Sequence, residues 1–177
     1  MRLLYLGGDQ DQNFTGFLEN FGAVDFSNKK LEAQEFLKYE WIISYGYRHI
    51  LNTDVLHITK NPILNLHISF LPFNKGAHPN YWSFKEKTPN GVTIHFMDKG
   101  IDTGPILVQK KCLFDLNETL KTSYEKLKRE VEELFFSNFK KIIDGRLKPT
   151  PQKGVGSYHS LKDLPSNINW NAKIKNL

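Results

Sequence analysis

The first half of the chain alternates between short apolar runs and stretches with helical spacing. Residues 1–6 and 41–44 are nearly continuous apolar runs, which are typical of buried strands, and residues 22–26 predict a shorter strand. Residues 29–38 predict a helix, and another helix is indicated after the first strand by apolar residues at helical spacing: Phe14, Phe17, Leu18 and Phe21. Strands that alternate with short helices favour a parallel sheet with crossover connections, so we expect an α/β fold.

The second half adds strands and one long helix. Residues 65–70 alternate between apolar and polar positions, as a strand requires, and further strands are predicted at 92–97 and 105–109. The longest predicted element runs over residues 117–143, with Asn117 as its N-cap. Its buried stripe comprises Leu120, Tyr124, Leu127, Val131, Leu134, Phe135, Phe139 and Ile142. We expect this helix to cover one face of the sheet.

Polar side chains gather where two of these strands end. Asn65 and His67 lie two positions apart on one strand, so they share a face, and Leu71-Pro72 ends that strand because proline cannot continue a central one. Asp102 follows the strand at 92–97 in a turn flanked by glycines, which allow a tight bend and close approach of a ligand. An amide, an imidazole and a carboxylate at strand ends are candidates for proton handling and hydrogen-bond donation.

These motifs resemble a known family. The pattern N-x-H-x-S-x-L-P at residues 65–72, with G-V-T-I-H at 91–95 and D-x-G-x-D-x-G at 98–104, is similar to that of the formyltransferases that use N10-formyltetrahydrofolate. The segment 72–83 is most similar to those that formylate nucleotide-linked amino sugars. The two halves of the motif stand in the right order and in the predicted strand and turn context, which makes a chance match improbable.

The resemblance implies a fold and an activity. The fold is a single Rossmann-like α/β formyltransferase domain over residues 1–177, with a mostly parallel sheet and an extended C-terminal tail at 146–177. Its amino-terminal half is expected to be trimmed, because members usually have one more strand–helix unit before the motif. The implied activity is transfer of a formyl group from N10-formyltetrahydrofolate to the amine of a nucleotide-linked amino sugar. The implied catalytic residues are Asn65, His67 and Asp102.

The resemblance also implies binding residues for the donor and the acceptor. The loop that lines the folate slot corresponds to Tyr45, Gly46, Tyr47, Arg48, His49 and Ile50, and the turn before the catalytic acid adds Asp98, Gly100 and Ile101. The acceptor side is expected at Lys75, Asn80 and Tyr81. Two alternatives stay open here: His49 as a loop histidine without a task, and the aromatic residues around Trp82 as the buried face of a short helix.

The charge distribution and the single cysteine restrict the expected binding partners and cellular location. The net charge is +5, but the lysines are scattered over helices and tail, which disfavours a nucleic-acid partner. The single cysteine, Cys112, excludes an internal disulfide framework and suits a reducing cytoplasm; within a predicted strand, we expect it to be buried and inert. No apolar run approaches the ~20 residues needed to span a bilayer, and residues 1–6 do not have the form of a signal peptide.

Metal binding and other uses of the fold are alternatives to this interpretation. His67, His78, His95 and Asp102 match none of the usual ligand spacings, so no metal is expected, and His95 is expected to orient the loop at 98–102. The fold can also serve another amine, such as an aminoacyl-tRNA, or hydrolyse formyl-folate, or act as a non-catalytic binding module. A homodimer is possible, since many family members carry a further module for dimerisation.

Overall fold

A computed structural model describes the whole chain, residues 1–177, as alternating strands and helices. The elements are, in chain order, β1 (Arg2–Gly7), α1 (Gln12–Glu19), β2 (Ala23–Ser27), a 3-10 helix (Ala33–Lys38), β3 (Trp41–Tyr45), α2 (Thr53–Ile58), β4 (Leu64–His67), β5 (Lys75–Gly76), α3 (Pro79–Lys85), β6 (Gly91–Phe96), β7 (Ile106–Lys111), α4 (Leu120–Ile143), β8 (Tyr158–His159) and two short 3-10 helices (Leu161–Asp163 and Ile174–Asn176).

Six strands form the main sheet in the order β2-β1-β3-β4-β6-β7. The first four run parallel to one another, and β6 and β7 are antiparallel to their neighbours. The predicted α/β fold with a mostly parallel sheet is therefore confirmed. Three strands precede β4; the expected trimming of the amino-terminal half relative to other family members stays a prediction.

The apolar run in β1 follows from burial on both faces of the sheet. Leu3 and Tyr5 belong to the larger core cluster, whereas Leu4 and Leu6 belong to a second cluster on the opposite face. The larger cluster includes the α4 residues Leu127, Val131, Phe135, Phe139 and Ile142, but Tyr124, predicted as part of the buried stripe, is exposed. Successive side chains of a strand point to opposite faces, so a strand covered on both sides reads as continuously apolar. A 24-residue helix is ~36 Å long, and α4 packs against β4, β6 and β7.

Two helix predictions are corrected by the structure. The long helix begins after Thr119 rather than Asn117, because the Thr119 hydroxyl accepts the hydrogen bond from the Thr122 N–H while Asn117 is held in a turn by Asp115. The helix predicted at 29–38 is only a short 3-10 helix, Ala33–Lys38. Phe36 is its one buried residue, so packing supports no more than these two turns.

The segment after α4 returns to the sheet. Thr150 forms an antiparallel bridge with Ile106, β8 pairs in parallel with β5, and Lys173 forms a bridge with Thr119 at the start of α4. The predicted tail at 146–177 is therefore anchored to the rest of the fold at three places: β7, β5 and the start of α4. No helix combines the length and the apolar character that crossing a membrane requires.

Candidate active site

The carboxyl end of β4 carries the predicted amide and imidazole. Asn65 and His67 are on the same strand, and antiparallel pairing with β6 sets His95 directly opposite Asn65. The Asn65 Nδ2 lies 3.1 Å from His95 Nε2, and the other ring nitrogen of His95, Nδ1, donates to the Phe96 carbonyl at 2.8 Å. Because a neutral imidazole has one donor and one acceptor nitrogen, His95 Nε2 accepts from the Asn65 amide. His95 therefore fixes the orientation of Asn65.

Asp102 meets this pair from the turn between β6 and β7. Its Oδ1 accepts a 3.0 Å hydrogen bond from Asn65 Nδ2, and its Oδ2 accepts a 2.8 Å hydrogen bond from the Gly76 N–H. The carboxylate lies 3.6 Å from His67 Nδ1 and 3.6 Å from His95 Nε2. That separation is longer than a hydrogen bond but short enough for a charge to act on its neighbour. The three predicted catalytic side chains thus lie together on one side of the sheet.

The electrostatics of Asp102 favour its ionised form. Burial of the carboxyl would by itself raise its pKa, but the charge of His67, the contact with His95 and the Gly76 N–H more than offset the burial and lower the pKa below the usual carboxyl range. Asp102 is consequently a carboxylate at neutral pH and a weak base. It is suited to stabilising a positive imidazole rather than to holding a proton itself.

His67 is held between two acceptors. Its Nε2 donates to the Asn74 carbonyl at 3.1 Å, while Nδ1 faces Asp102. Asn65 donates both amide hydrogens within the cluster, to His95 and Asp102, and its Oδ1 makes no hydrogen bond. The carbonyl oxygen of Asn65 is thus the atom free to meet a ligand. As a candidate hydrogen-bond donor Asn65 would offer its N–H groups, but in this arrangement His95 and Asp102 already engage them.

A cavity of about 690 Å³ opens over this cluster. All nine residues that the resemblance assigns to folate binding line it, together with the three predicted catalytic residues and His95: Tyr45, Gly46, Tyr47, Arg48, His49, Ile50, Asp98, Gly100 and Ile101. His49 hydrogen-bonds the Asn28 carbonyl through Nε2, which gives it a structural task in addition to its place at the cavity. Nowhere are three or more His, Cys, Asp or Glu side chains spaced to hold a metal ion.

The three predicted acceptor residues lie apart from this cavity. Lys75 directs its amine to the Val155 carbonyl at 3.2 Å, on the protein surface. Asn80 is buried, with its amide bonded to the Leu120 carbonyl and the Ser123 hydroxyl, so it fastens α3 to α4. Tyr81 is also buried, and both Asn80 and Tyr81 line a smaller cavity beside the main one. Their acceptor role stays a prediction, whereas their contacts within the protein are structural.

The returning tail contributes a residue that sequence patterns did not reveal. Gln152 donates from Nε2 to the carbonyls of Asp102 and Gly104, at 2.7 and 2.9 Å. Asp102 has a φ of 52°, in the left-handed region that non-glycine residues occupy infrequently. The clamp by Gln152 holds the turn in this conformation and so positions the carboxylate. No local signal marks it, because the contact spans 50 residues of chain.

Strand β8 secures the second hydrogen-bond donor to Asp102. Lys75 N–H and Ala77 N–H donate to the carbonyls of Ser157 and His159, which fixes the backbone on both sides of Gly76. Gly76 has a φ of 87°, and a Cβ there would lie 2.3 Å from the His159 carbonyl oxygen. Only glycine fits this position. The tail strand therefore determines where the Gly76 N–H points.

A mostly parallel sheet with an amide, two imidazoles and a buried carboxylate at the ends of its strands defines an α/β protein with an acid–base cleft. The sequence profile of the formyl transferase family matches residues 18–138. Because that match covers well over half of the chain, the protein belongs to the formyl transferase family.

Similar proteins include enzymes for two kinds of acceptor. The structure of the formyltransferase PseJ from Anoxybacillus kamchatkensis, in complex with UDP-4,6-dideoxy-4-formamido-L-AltNAc and tetrahydrofolate, has a TM-score of 0.92 and 40% identity, covering 99% of this chain and 96% of that one. The methionyl-tRNA formyltransferase of Thermodesulfovibrio yellowstonii is 36% identical over 151 residues, 84% of this chain and 48% of its own length. The chain thus spans about half the length of the curated relatives it matches.

The fold is also shared with a more distant sugar enzyme. The N-formyltransferase from Helicobacter canadensis, in complex with folinic acid and dTDP-3-aminofucose, has a TM-score of 0.79 at 22% identity, covering 98% of this chain and 77% of that one. At this identity the likeness concerns the fold alone.

Proposed function

We propose that this protein transfers a formyl group from N10-formyltetrahydrofolate to the amine of a nucleotide-linked amino sugar. The observation that carries the proposal is the cluster of Asn65, His67 and Asp102, drawn together from β4 and the β6–β7 turn beneath one cavity. The near full-length likeness to PseJ, at 40% identity, favours a UDP-linked acceptor with its amine on the sugar ring.

The cavity suits a folate donor. Its walls include apolar side chains from Leu51, Leu56 and Met97, which fit a flat heterocycle, and most of a drug-sized ligand is usually buried in such a cleft. Arg48 and Lys99 also line it, and neither forms a salt bridge within the protein. Two unpaired cations suit the carboxylates of a folate. When bound, the donor supplies an activated formyl carbon.

The side chains of the catalytic cluster would then stabilise charge and transfer protons. The sugar amine attacks the formyl carbon, the bond from that carbon to the donor nitrogen breaks, and one proton leaves the amine while one reaches the departing nitrogen. Histidine is the side chain that most often transfers protons as a general acid or base, so His67 is the residue suited to take and return the proton. Ionised Asp102 stabilises the imidazolium, and the free Oδ1 of Asn65 accepts a hydrogen bond from the amine and so orients it.

Methionyl-tRNA is the second candidate acceptor, because relatives of that name share up to 36% identity with this chain. Two further uses, formyl-folate hydrolysis and a non-catalytic role, have no observation in their favour beyond the shared fold. The cytoplasmic location indicated by cysteine usage and the possible homodimer both stay predictions.

A formylation assay distinguishes the acceptors. The full chain is incubated with N10-formyltetrahydrofolate and either a panel of UDP-linked amino sugars or methionyl-tRNA, and the products are analysed by mass spectrometry. We expect at least one amino sugar to gain the mass of one CO group, and its N-acetylated counterpart, in which the amine is blocked, to stay unchanged. Formylation of methionyl-tRNA without any sugar product would replace this proposal by the second candidate.

A further inference from the structure

A smaller cavity of about 200 Å³ adjoins the main one on the side formed by α3 and α4. Besides the buried Tyr81, it is lined by aromatic rings from three separate segments: His78 at the start of α3, Tyr124 on α4 and Trp170 in the tail. We call these three residues the aromatic notch. The two cavities share His78 and Tyr124, as well as Ile68 and Pro79, so they adjoin each other. No residue of the loop assigned to folate lines the notch.

The notch is held in place by backbone hydrogen bonds. The Lys121 N–H donates to the Trp170 carbonyl at 2.9 Å, and the Leu120 N–H donates to the Ala172 carbonyl at 3.2 Å. The first N–H groups of a helix have no partner within the helix, so the tail satisfies two such donors at the start of α4. Trp170 is thereby fixed beside His78, with ring centroids 5.6 Å apart.

The rings of the notch are not fully buried in the protein core. Trp170 is 37% exposed and Tyr124 is 42% exposed, and neither makes a side-chain hydrogen bond. Burial lowers the pKa of His78, so this ring is neutral at neutral pH and presents an uncharged aromatic surface. Such rings are the ordinary partners of nucleic-acid bases, which stack on them whatever their identity.

A free cation borders the main cavity on the same helix as Tyr124. Lys128 is one helical turn beyond Tyr124 and therefore on the same face of α4. It lines the main cavity and forms no salt bridge or hydrogen bond within the protein. A lysine amine acts as a point charge for phosphate. The rings of the notch, Lys128 and the acid–base cluster thus border two adjoining cavities.

We propose that the aromatic notch binds the base of a nucleoside diphosphate and that Lys128 binds its phosphates. A group attached to the diphosphate then extends into the main cavity toward Asn65 and Asp102. This inference deepens the proposed function, and its sugar portion rests on that function. It also assigns a role to Trp170, which comes from the tail and lies outside every motif found in the sequence.

The test measures binding of UDP alone by calorimetry, which requires no turnover. Trp170→Leu removes the ring but keeps an apolar side chain, and we expect it to weaken UDP binding about tenfold or more. Trp170→Phe keeps an aromatic face and is expected to retain most of the affinity. Lys128→Ala is expected to weaken UDP but to leave the weaker binding of uridine unchanged. Lys141→Ala, on the exposed end of α4, is the matched control.

Folding and donor binding are checked in parallel. The Trp170 variants are expected to bind folinic acid as the wild type does, because Trp170 does not line the main cavity, and every variant is expected to keep its melting temperature. Should Trp170→Leu lower the melting temperature, Tyr124→Ala supplies the same test at an exposed position outside the core. Wild-type affinity for UDP in Trp170→Leu, or no UDP binding by the wild type at millimolar concentration, would overturn the inference.

The outcomes separate this inference from the proposed function. If UDP binding depends on Trp170 but no amino sugar is formylated, the notch stands and the proposed function fails. If a UDP-linked amino sugar is formylated with the same KM by the wild type and Trp170→Leu, the proposed function stands and the notch is rejected.

Discussion

The catalytic cluster and the aromatic notch border adjoining cavities but are built in opposite ways. Asn65 and Asp102 satisfy one another and bond to His95 and Gly76, so the cluster is closed by internal hydrogen bonds. In the notch, the rings of Tyr124 and Trp170 are partly exposed and make no side-chain hydrogen bond within the protein. A closed hydrogen-bonded cluster holds a fixed geometry, which chemistry needs, whereas unpartnered rings and a free lysine leave capacity for a ligand. The difference indicates that the catalytic cluster carries the reaction and that the aromatic notch binds the ligand.

The largest effect is expected from breaking the cluster. His67→Ala and Asp102→Ala should each lower kcat/KM by roughly 10²–10⁴-fold, the usual contribution of acid–base groups. The double variant should be little worse than either single one, because residues that act as a unit are strongly non-additive. Steady-state formylation assays check this. Near-normal turnover in His67→Ala, with wild-type folding, would remove the cluster from the mechanism.

Gly76 tests the geometry of the cluster without removing any of its polar groups. Gly76→Ala should lower kcat roughly 10- to 100-fold, because the added Cβ meets the His159 carbonyl and displaces the N–H that bonds Asp102. Gly145→Ala is the control: that glycine also has a positive φ, but open space surrounds its Cβ position. Equal activity in the two variants would show that the Gly76 N–H is dispensable.

Gln152 links the tail to the cluster, so its loss should have an intermediate effect. Gln152→Glu replaces the donor by a carboxylate that cannot bond the carbonyls of Asp102 and Gly104, and we expect a fall in kcat of about tenfold with the KM for the acceptor nearly unchanged. Lys153→Ala, at the exposed neighbouring position, serves as the control. A changed KM with unchanged kcat would assign Gln152 to binding rather than to positioning.

The smallest expected effect is on stability in acid. The pKa of Asp102 is lowered by folding, so its contribution to stability is present above the ordinary carboxyl pKa of about 4 and is lost as the pH falls below that value. Between pH 5 and pH 3, urea unfolding should show the wild type losing more stability than Asp102→Asn, which has no charge to lose. Parallel losses in the two proteins would mean that the cluster does not hold Asp102 ionised.

Sequence reasoning brought out the cluster but missed the two tail residues, Gln152 and Trp170, for one physical reason. Asn65 and His67 are two positions apart on a strand, and the glycines around Asp102 indicate a turn. Local sequence rules therefore suffice to predict that these three residues lie at one edge of the sheet. Trp170 and Gln152 act over separations of about 50 residues or more, where no periodicity or turn signal applies. The N-cap was misplaced by two residues because both Asn117 and Thr119 are good capping residues.

The most direct test is a crystal structure of the protein with tetrahydrofolate and a UDP-linked amino sugar. We predict that the sugar amine lies within hydrogen-bond distance, roughly 2.6–3.2 Å, of Asn65 or His67, directly or through one water. The base should stack against Trp170 in the same complex. A sugar amine bound away from the cluster, with the folate still in the main cavity, would contradict the claim that Asn65, His67 and Asp102 carry formyl transfer to this class of acceptor.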